Sequence, residues 1–160
     1  MKAITLTQPW ATLVAVGAKH IETRSWSTRY RGPLAIHAAK GLSPVGGMAG
    51  LCELCYEKPF YRVLTLRHGL IGADLCHPAR RGAIVATCQL VDVRIIGQEE
   101  NGDATILADD MRSFTPILGN ERAFGDYSPG RYAWLLADVK PLAEPIPAKG
   151  ALGLWEWNER

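Results

Sequence analysis

The run Gly82-Ala83-Ile84-Val85-Ala86-Thr87-Cys88-Gln89-Leu90-Val91-Asp92-Val93 constrains this chain more than any other segment. It is rich in β-branched residues and opens on a glycine, which predicts a strand long enough to bend around a barrel. The 16 glycines and 10 prolines fall singly between apolar runs, a distribution that favours many short strands over long helices. A chain of 160 residues with 48% hydrophobic content can bury one core comfortably and two poorly, so residues 1–160 are expected to form a single α+β domain.

Other elements follow from local chemistry. Thr7 as N-cap, Pro9 in the first turn and Gly17 as a stop predict a short helix over residues 8–16. Ile21 to Trp26 alternates in the manner of a strand, with Ile21, Thr23 and Ser25 on one face and Glu22, Arg24 and Trp26 on the other. Pro33–Ala38 reads as a buried strand, joined to the preceding one as a hairpin through Ser27–Gly32. Residues 43–80 change character and predict a helical excursion, with Phe60, Val63, Leu64 and Arg67 spaced by three and four. Residues 97–110 read as an exposed polar loop, Arg131–Val139 as a strand and Gly153–Trp157 as a last short one.

Several function classes fall away. There is no phosphate-binding glycine loop and no nucleophile elbow, which excludes nucleoside triphosphatase and α/β-hydrolase readings. No run of about twenty apolar residues spans a bilayer. The N-terminal apolar stretch is broken by Gln8-Pro9, so no signal peptide is expected. Four cysteines in a chain with five tryptophans do not suggest a disulfide framework, and reduced thiols in a cytoplasm are the simpler expectation. Cys52-x-x-Cys55 with Cys76-His77, or with His68, has residue types for zinc; structural zinc sites pair two close-spaced couples, and this chain supplies one. Small core residues at helical spacing are the alternative, and neither a metal nor a cofactor is assigned.

A net charge of +2 neither demands nor excludes a polyanionic partner, so clustering carries the argument. Lys19, Glu22 and Arg24 bring a cation, a carboxylate and a second cation together at the start of one strand. Arginine offers a planar fork for phosphate or a base edge, lysine a point charge, and a carboxylate can accept from an exocyclic amine or act as a general base. An exposed salt-bridge ladder is the structural alternative. Trp26, Arg29, Tyr30 and Arg31 follow, and interleaved aromatics and arginines suit single-stranded nucleic acid, above all RNA. Trp26 fits core packing equally. Ser128-Pro129-Gly130 is turn chemistry that would place Tyr127 and Arg131 near one another at a strand mouth, while Tyr132 and Trp134 share a face of the next strand.

Three stretches together resemble the ASCH domain family of the PUA-like superfamily: Leu6-Thr7-Gln8-Pro9-Trp10-Ala11, Gly17-Ala18-Lys19-His20-Ile21-Glu22-Thr23-Arg24-Ser25-Trp26, and Tyr30-Arg31-Gly32-Pro33-Leu34-Ala35-Ile36-His37-Ala38. Gly82–Ala86, Glu121–Trp134 and Gly150–Trp155 fit the same pattern. The resemblance implies a small β-barrel of about five to six strands flanked by short helices, a cleft beside Lys19, Glu22 and Arg24, and recognition of RNA or a modified base. One branch of the family is similar in motif and hydrolyses the amide of acetylated cytidine nucleosides, with a lysine and a threonine three residues on as the active pair. Lys19 matches that lysine, but Glu22 stands at the threonine position. A hydrolase reading, as amidohydrolase or ribonuclease, would therefore use Glu22 to activate water or a ribose hydroxyl, with Lys19 and Arg24 stabilising developing negative charge.

Overall fold

The computed structural model describes residues 1–99, 102–107 and 114–158. Contacts divide the chain into two compact units. One holds residues 1–18, 33–88 and 138–160, the other residues 19–32 and 89–137.

The first unit contains strand β1 (Lys2–Leu6), helix α1 (Trp10–Ala15) and strand β3 (Gly32–Ala38), the label β2 being kept for Ile21–Arg24 in the second unit. β1 and β3 pair in parallel, Ile4 opposite Ile36, and β1 pairs antiparallel with β8 (Leu154–Glu156) on its other edge. β1 is not foreseen from sequence, because Lys2–Leu6 is too short for alternation to register. Ala3, Ala35, Ile84 and Trp157 form a core cluster against which Leu142, Ile146 and Trp155 pack.

Helix α1 buries Ala11, Thr12, Leu13 and Val14 and stops at Gly17, whose φ of 70° is the left-handed conformation expected of the stop. Its N-terminus differs from expectation: Thr7 does not cap it. The buried Gln8 side chain accepts from Thr12 N–H at 3.1 Å and donates to Arg80 O at 3.0 Å, so a longer amide does the capping and ties down a second segment.

The helical excursion over 43–80 is observed, as α2 (Gly47–Tyr56), α3 (Lys58–Phe60) running into a π-helical turn (Tyr61–Arg67), and α4 (Gly72–Cys76). Phe60, Val63 and Leu64 are buried, as their spacing requires.

Two long strands run from one unit into the other: β4 (Ala83–Gln98) and β7 (Tyr132–Pro147). β7 continues well past the expected Val139, through Asp138 at a φ of 50°. The second unit adds β2, β5 (Ala104–Leu107), β6 (Phe114–Pro116) and the short helix α5 (Asn120–Ala123). Here β2 pairs with β7, β5 with β4, and β6 with β5. Ile96, Ala104, Ile117, Tyr127 and Ala133 make its core, with Ile21, Ile106 and Leu135 alongside.

Three expectations are corrected. β2 and β3 do not form a hairpin; β2 takes its partner from β7, Glu22 opposite Trp134, and β3 takes β1. Part of the expected 97–110 loop is strand, since β4 extends to Gln98 and β5 pairs with it, Gly97 opposite Thr105. Residues 100–101 and 108–110 of that stretch lie outside the described residues. The described residues hold eight strands rather than five or six, and within neither unit does the strand path return to its first strand. The fold is mixed α+β. No helix among the described residues is long and apolar enough to cross a membrane.

Candidate functional site

Among the described residues β2 is paired on one side only, to β7, and its register decides which side chains share a face. Glu22 lies opposite Trp134 and Arg24 opposite Tyr132, so these four project from one face of the ladder. Thr23, opposite Ala133, projects from the other and is buried. A hydroxyl adjacent in sequence to Glu22 is thus kept on the far side of the strand.

Lys19 stands just before β2 and is fully buried. Its Nζ donates to Ile21 O and lies 3.8 Å from a carboxylate oxygen of Glu22 and 3.8 Å from one of Glu121. It also lies 5.9 Å from the centre of the Tyr127 ring. Burial lowers the Lys19 pKa, and the two carboxylates offset that only in part. Glu121 is the member that sequence reading misses. It sits on α5, and its carboxylate accepts from the backbone N–H of His20 at 2.8 Å and of Ile21 at 3.2 Å, two donors at the start of β2. The Tyr127 hydroxyl donates to the same carboxylate at 2.9 Å. Burial raises the Tyr127 pKa, and the Glu121 charge adds to the rise. The nearest sequence signal for Glu121 is its place at the head of the segment running to Trp134, which says nothing of its contact with Lys19.

Arg24 Nε stands 3.2 Å from Glu22, so that carboxylate is held between two cations. Trp26 lies beyond the end of β2, its ring edge-on to Trp134 with centroids 4.7 Å apart. Trp134 is fully buried and donates its Nε1–H to Trp26 O at 3.4 Å, and the Trp26 side chain is half-buried against it. Arg31 donates to Thr28 O and Tyr30 O, both at 2.9 Å, and pairs with Asp92 at 2.9 Å, fastening the loop to β4. Burial opposes ionisation of Asp92, but hydrogen bonds from Val93 N–H, Arg94 and Arg31 outweigh it and hold its carboxyl below the usual range. Tyr30 is half-buried, its N–H donating to Thr28 Oγ1 at 3.1 Å. Arg29 is exposed and, among the described residues, has no acceptor.

Tyr127 and Arg131 flank one turn, Arg131 bonding to Asp126 beside Tyr127, and take different side-chain partners. Tyr127 is buried against Glu121, whereas Arg131 donates to Asp126 O at 3.1 Å and to Thr23 O at 3.4 Å, and pairs with the Asp126 carboxylate at 3.3 Å. The structure therefore gathers Lys19, Glu22, Arg24, Glu121 and Tyr127, and leaves Arg29 reaching outwards.

The cysteines lie in the first unit. Cys52, Cys55, Cys76 and Cys88 are all free thiols. His77 turns its Nδ1 to accept from Ala79 N–H at 3.2 Å. Among the described residues no group of three His, Cys, Asp or Glu is arranged to hold a metal.

No curated protein matches the chain. Residues 4–146, nearly its whole length, match the family model of the ASCH domain, and the chain accordingly belongs to the ASCH domain family.

Proposed function

We propose that this protein binds single-stranded RNA, or a modified base within it, on the β2 face of the second unit. The ASCH domain is a PUA-like domain generally linked to RNA binding. The observation that carries the reading is that Glu22, Arg24 and Tyr132 share one face of the β2–β7 ladder, with exposed Arg29 following on the adjoining loop. A guanidinium and a carboxylate side by side offer a donor and an acceptor to a base edge, a tyrosine ring offers a stacking surface, and Arg29 offers charge to a phosphate. Lys19 acts from beneath, its buried charge fixing the Glu22 carboxylate, while Arg31, Tyr30 and Arg131 hold the surrounding loops. We take residues 1–160 as one domain, since β4 and β7 thread both units, and its free thiols suit a reducing cytoplasm.

A second reading has an observation of its own. A desolvated lysine between two carboxylates, with a tyrosine hydroxyl on one of them, is the kind of perturbed cluster that does acid–base chemistry. In a hydrolase Glu22 would take the proton from water and Arg24 would stabilise the oxyanion.

One assay separates the two. Wild type, Glu22→Gln and Arg29→Ala are incubated with short single-stranded RNA and a set of modified cytidines at two salt concentrations, and binding and products are followed. Salt-sensitive RNA binding weakened by Arg29→Ala, with every substrate left intact, supports the binding reading. Conversion by wild type that Glu22→Gln abolishes while binding persists establishes the enzyme instead. Absence of salt-sensitive binding overturns the leading proposal.

A further inference from the structure

The stretch between β7 and β8 is held to the first unit mainly by polar contacts. None of residues 147–153 is buried, and Leu152 is 98% exposed. Ala148 N–H donates to Gly82 O at 2.9 Å, Ala148 O lies 3.1 Å from His37 Nε2, and Ala151 O accepts from the Thr5 hydroxyl at 3.1 Å. A segment docked with so little apolar burial belongs to the part of a fold that opens locally at small cost.

Two of those fasteners stand side by side. Thr5 of β1 and His37 of β3 are register partners. Trp155 of β8 donates its Nε1–H to the Thr5 hydroxyl at 3.2 Å and stands edge-on to the His37 ring at 5.6 Å. Gly150 closes over the ring: a Cβ there would lie 2.4 Å from His37 Cε1 and 2.6 Å from Nδ1, closer than real Cβ contacts come. Gly150 is absent from the positive-φ glycines, so glycine serves the close approach and not the backbone conformation.

His37 is thereby sealed with one proton and no place for a second. Its Nε2 faces a carbonyl, so the neutral ring carries its proton there and Nδ1 is the bare nitrogen. Nδ1 is closed to solvent and has no hydrogen-bond partner among the described residues. A proton added there with the loop in place would create a buried, unpaired donor on a cation, far costlier than the bare lone pair. The charges around the ring oppose it as well. Lys149 of the loop, Lys40 after β3 and Arg81 before β4 line the cavity that His37 lines, and no carboxylate does. Glu156 neighbours Trp155 but alternates to the opposite face of β8, where it pairs with Lys2 of β1 at 2.7 Å. Residues 83–88 of β4 carry no charge, and Asp138, Lys140 and Glu144 of β7 lie outside the lining. Burial correspondingly lowers the His37 pKa, with the Ala148 bond opposing.

We propose that residues 149–152 form an acid-released strap: when His37 Nδ1 takes up a proton from solvent, the strap lifts off Thr5 and His37 while β1 and β3 stay folded. The Ala148 anchor survives, because the charged ring still donates from Nε2 and is the stronger donor. Gly150 is what has to move, since it covers Nδ1, and the Ala151–Thr5 hydrogen bond goes with it. Gly153, at a φ of 68°, ends the moving stretch on its other side. Lifting the strap gives the new N–H water to donate to.

The test is nuclear magnetic resonance of the ¹⁵N-labelled full chain from about pH 7.5 to about pH 4.5, the range in which a histidine titrates. His37 is followed by its ring signals, residues 149–152 by backbone ¹⁵N relaxation, and the fold by circular dichroism. His37 should titrate below 6.5 in the folded chain. Residues 149–152 should become mobile with the same midpoint, open over closed rising by up to about tenfold per pH unit, while Ile4 and Ile36 stay rigid. His37→Gln, which takes up no proton, keeps the strap down throughout. Gly150→Ala, whose Cβ props the strap off the ring, loosens it at neutral pH and returns the His37 midpoint towards 6.5, a result that decides the matter even if His37→Gln does not fold. Any of four results would overturn the proposal: residues 149–152 staying rigid while His37 titrates, their loosening equally in His37→Gln, a Gly150→Ala variant that behaves as wild type, or a His37 that titrates only as the whole fold is lost.

Discussion

Glu121 serves Lys19 and the backbone of β2 at once: one oxygen lies 3.8 Å from Lys19 Nζ, and the carboxylate accepts from His20 N–H at 2.8 Å and Ile21 N–H at 3.2 Å. A buried ammonium is tolerable only because this carboxylate and that of Glu22 are brought to it, and the start of an edge strand is held in place by the same contact.

Removing the cation should therefore cost stability. Lys19→Met leaves Glu22 and Glu121, whose side chains are 13% and 15% exposed, facing one another without the ammonium. Their partial exposure and the remaining Arg24 contact moderate the loss, which we expect at about 2 kcal/mol in urea unfolding. Adding Glu121→Gln to Lys19→Met should recover part of it. Strict additivity of the two single changes would show that they do not interact.

The exposed Arg29 beside β2 should be visible in a salt titration. Arg29→Ala is expected to weaken binding to single-stranded RNA and to lower the slope of log K against log salt by about 0.7, one phosphate contact's worth. Arg131→Ala, already committed to Asp126, should change the slope much less. Fluorescence anisotropy over a salt series distinguishes the two.

His37 makes stability fall in acid. Burial holds its folded pKa below the ordinary value of 6.5, with the Ala148 hydrogen bond opposing. As pH drops through about 6.5 the unfolded chain takes up a proton that the folded chain still refuses, so unfolding is favoured until the folded ring protonates as well. His37→Gln should flatten the dependence of unfolding free energy on pH below 6.5. An unchanged profile in that variant would assign the acid sensitivity to other groups.

Two thiols should be silent in the native state. Burial, with Cys52 and Cys76 nearby, pushes Cys55 up to about 11, and burial alone pushes Cys88 up to about 12. At pH near 8 almost no thiolate is present at either. Maleimide should label Cys55 and Cys88 only after unfolding, as mass spectrometry of digests can show, and rapid native labelling would contradict their packing.

Local pattern was enough to read some of this protein from its sequence. The β-branched run from Ala83, the Gly17 stop of α1, the spaced Phe60, Val63 and Leu64, and the alternation of Ile21 to Arg24 each encode their structure within a few residues. The contact of Lys19 and Arg24 with Glu22 is likewise local, because the three are close in the chain. Pairing and burial were not legible. That β2 pairs with β7 rather than β3, that Gln8 rather than Thr7 caps α1, and that Lys19 is buried while Arg29 is not, all depend on residues up to about a hundred positions away. Period-two alternation states which side chains share a face but not which strand lies alongside, and a charged residue carries no local sign of the carboxylate that will neutralise it. Tertiary structure alone brought Glu121 to Lys19 and Gly150 to His37, for the physical reason that a buried charge or a close approach is created by the meeting of distant segments.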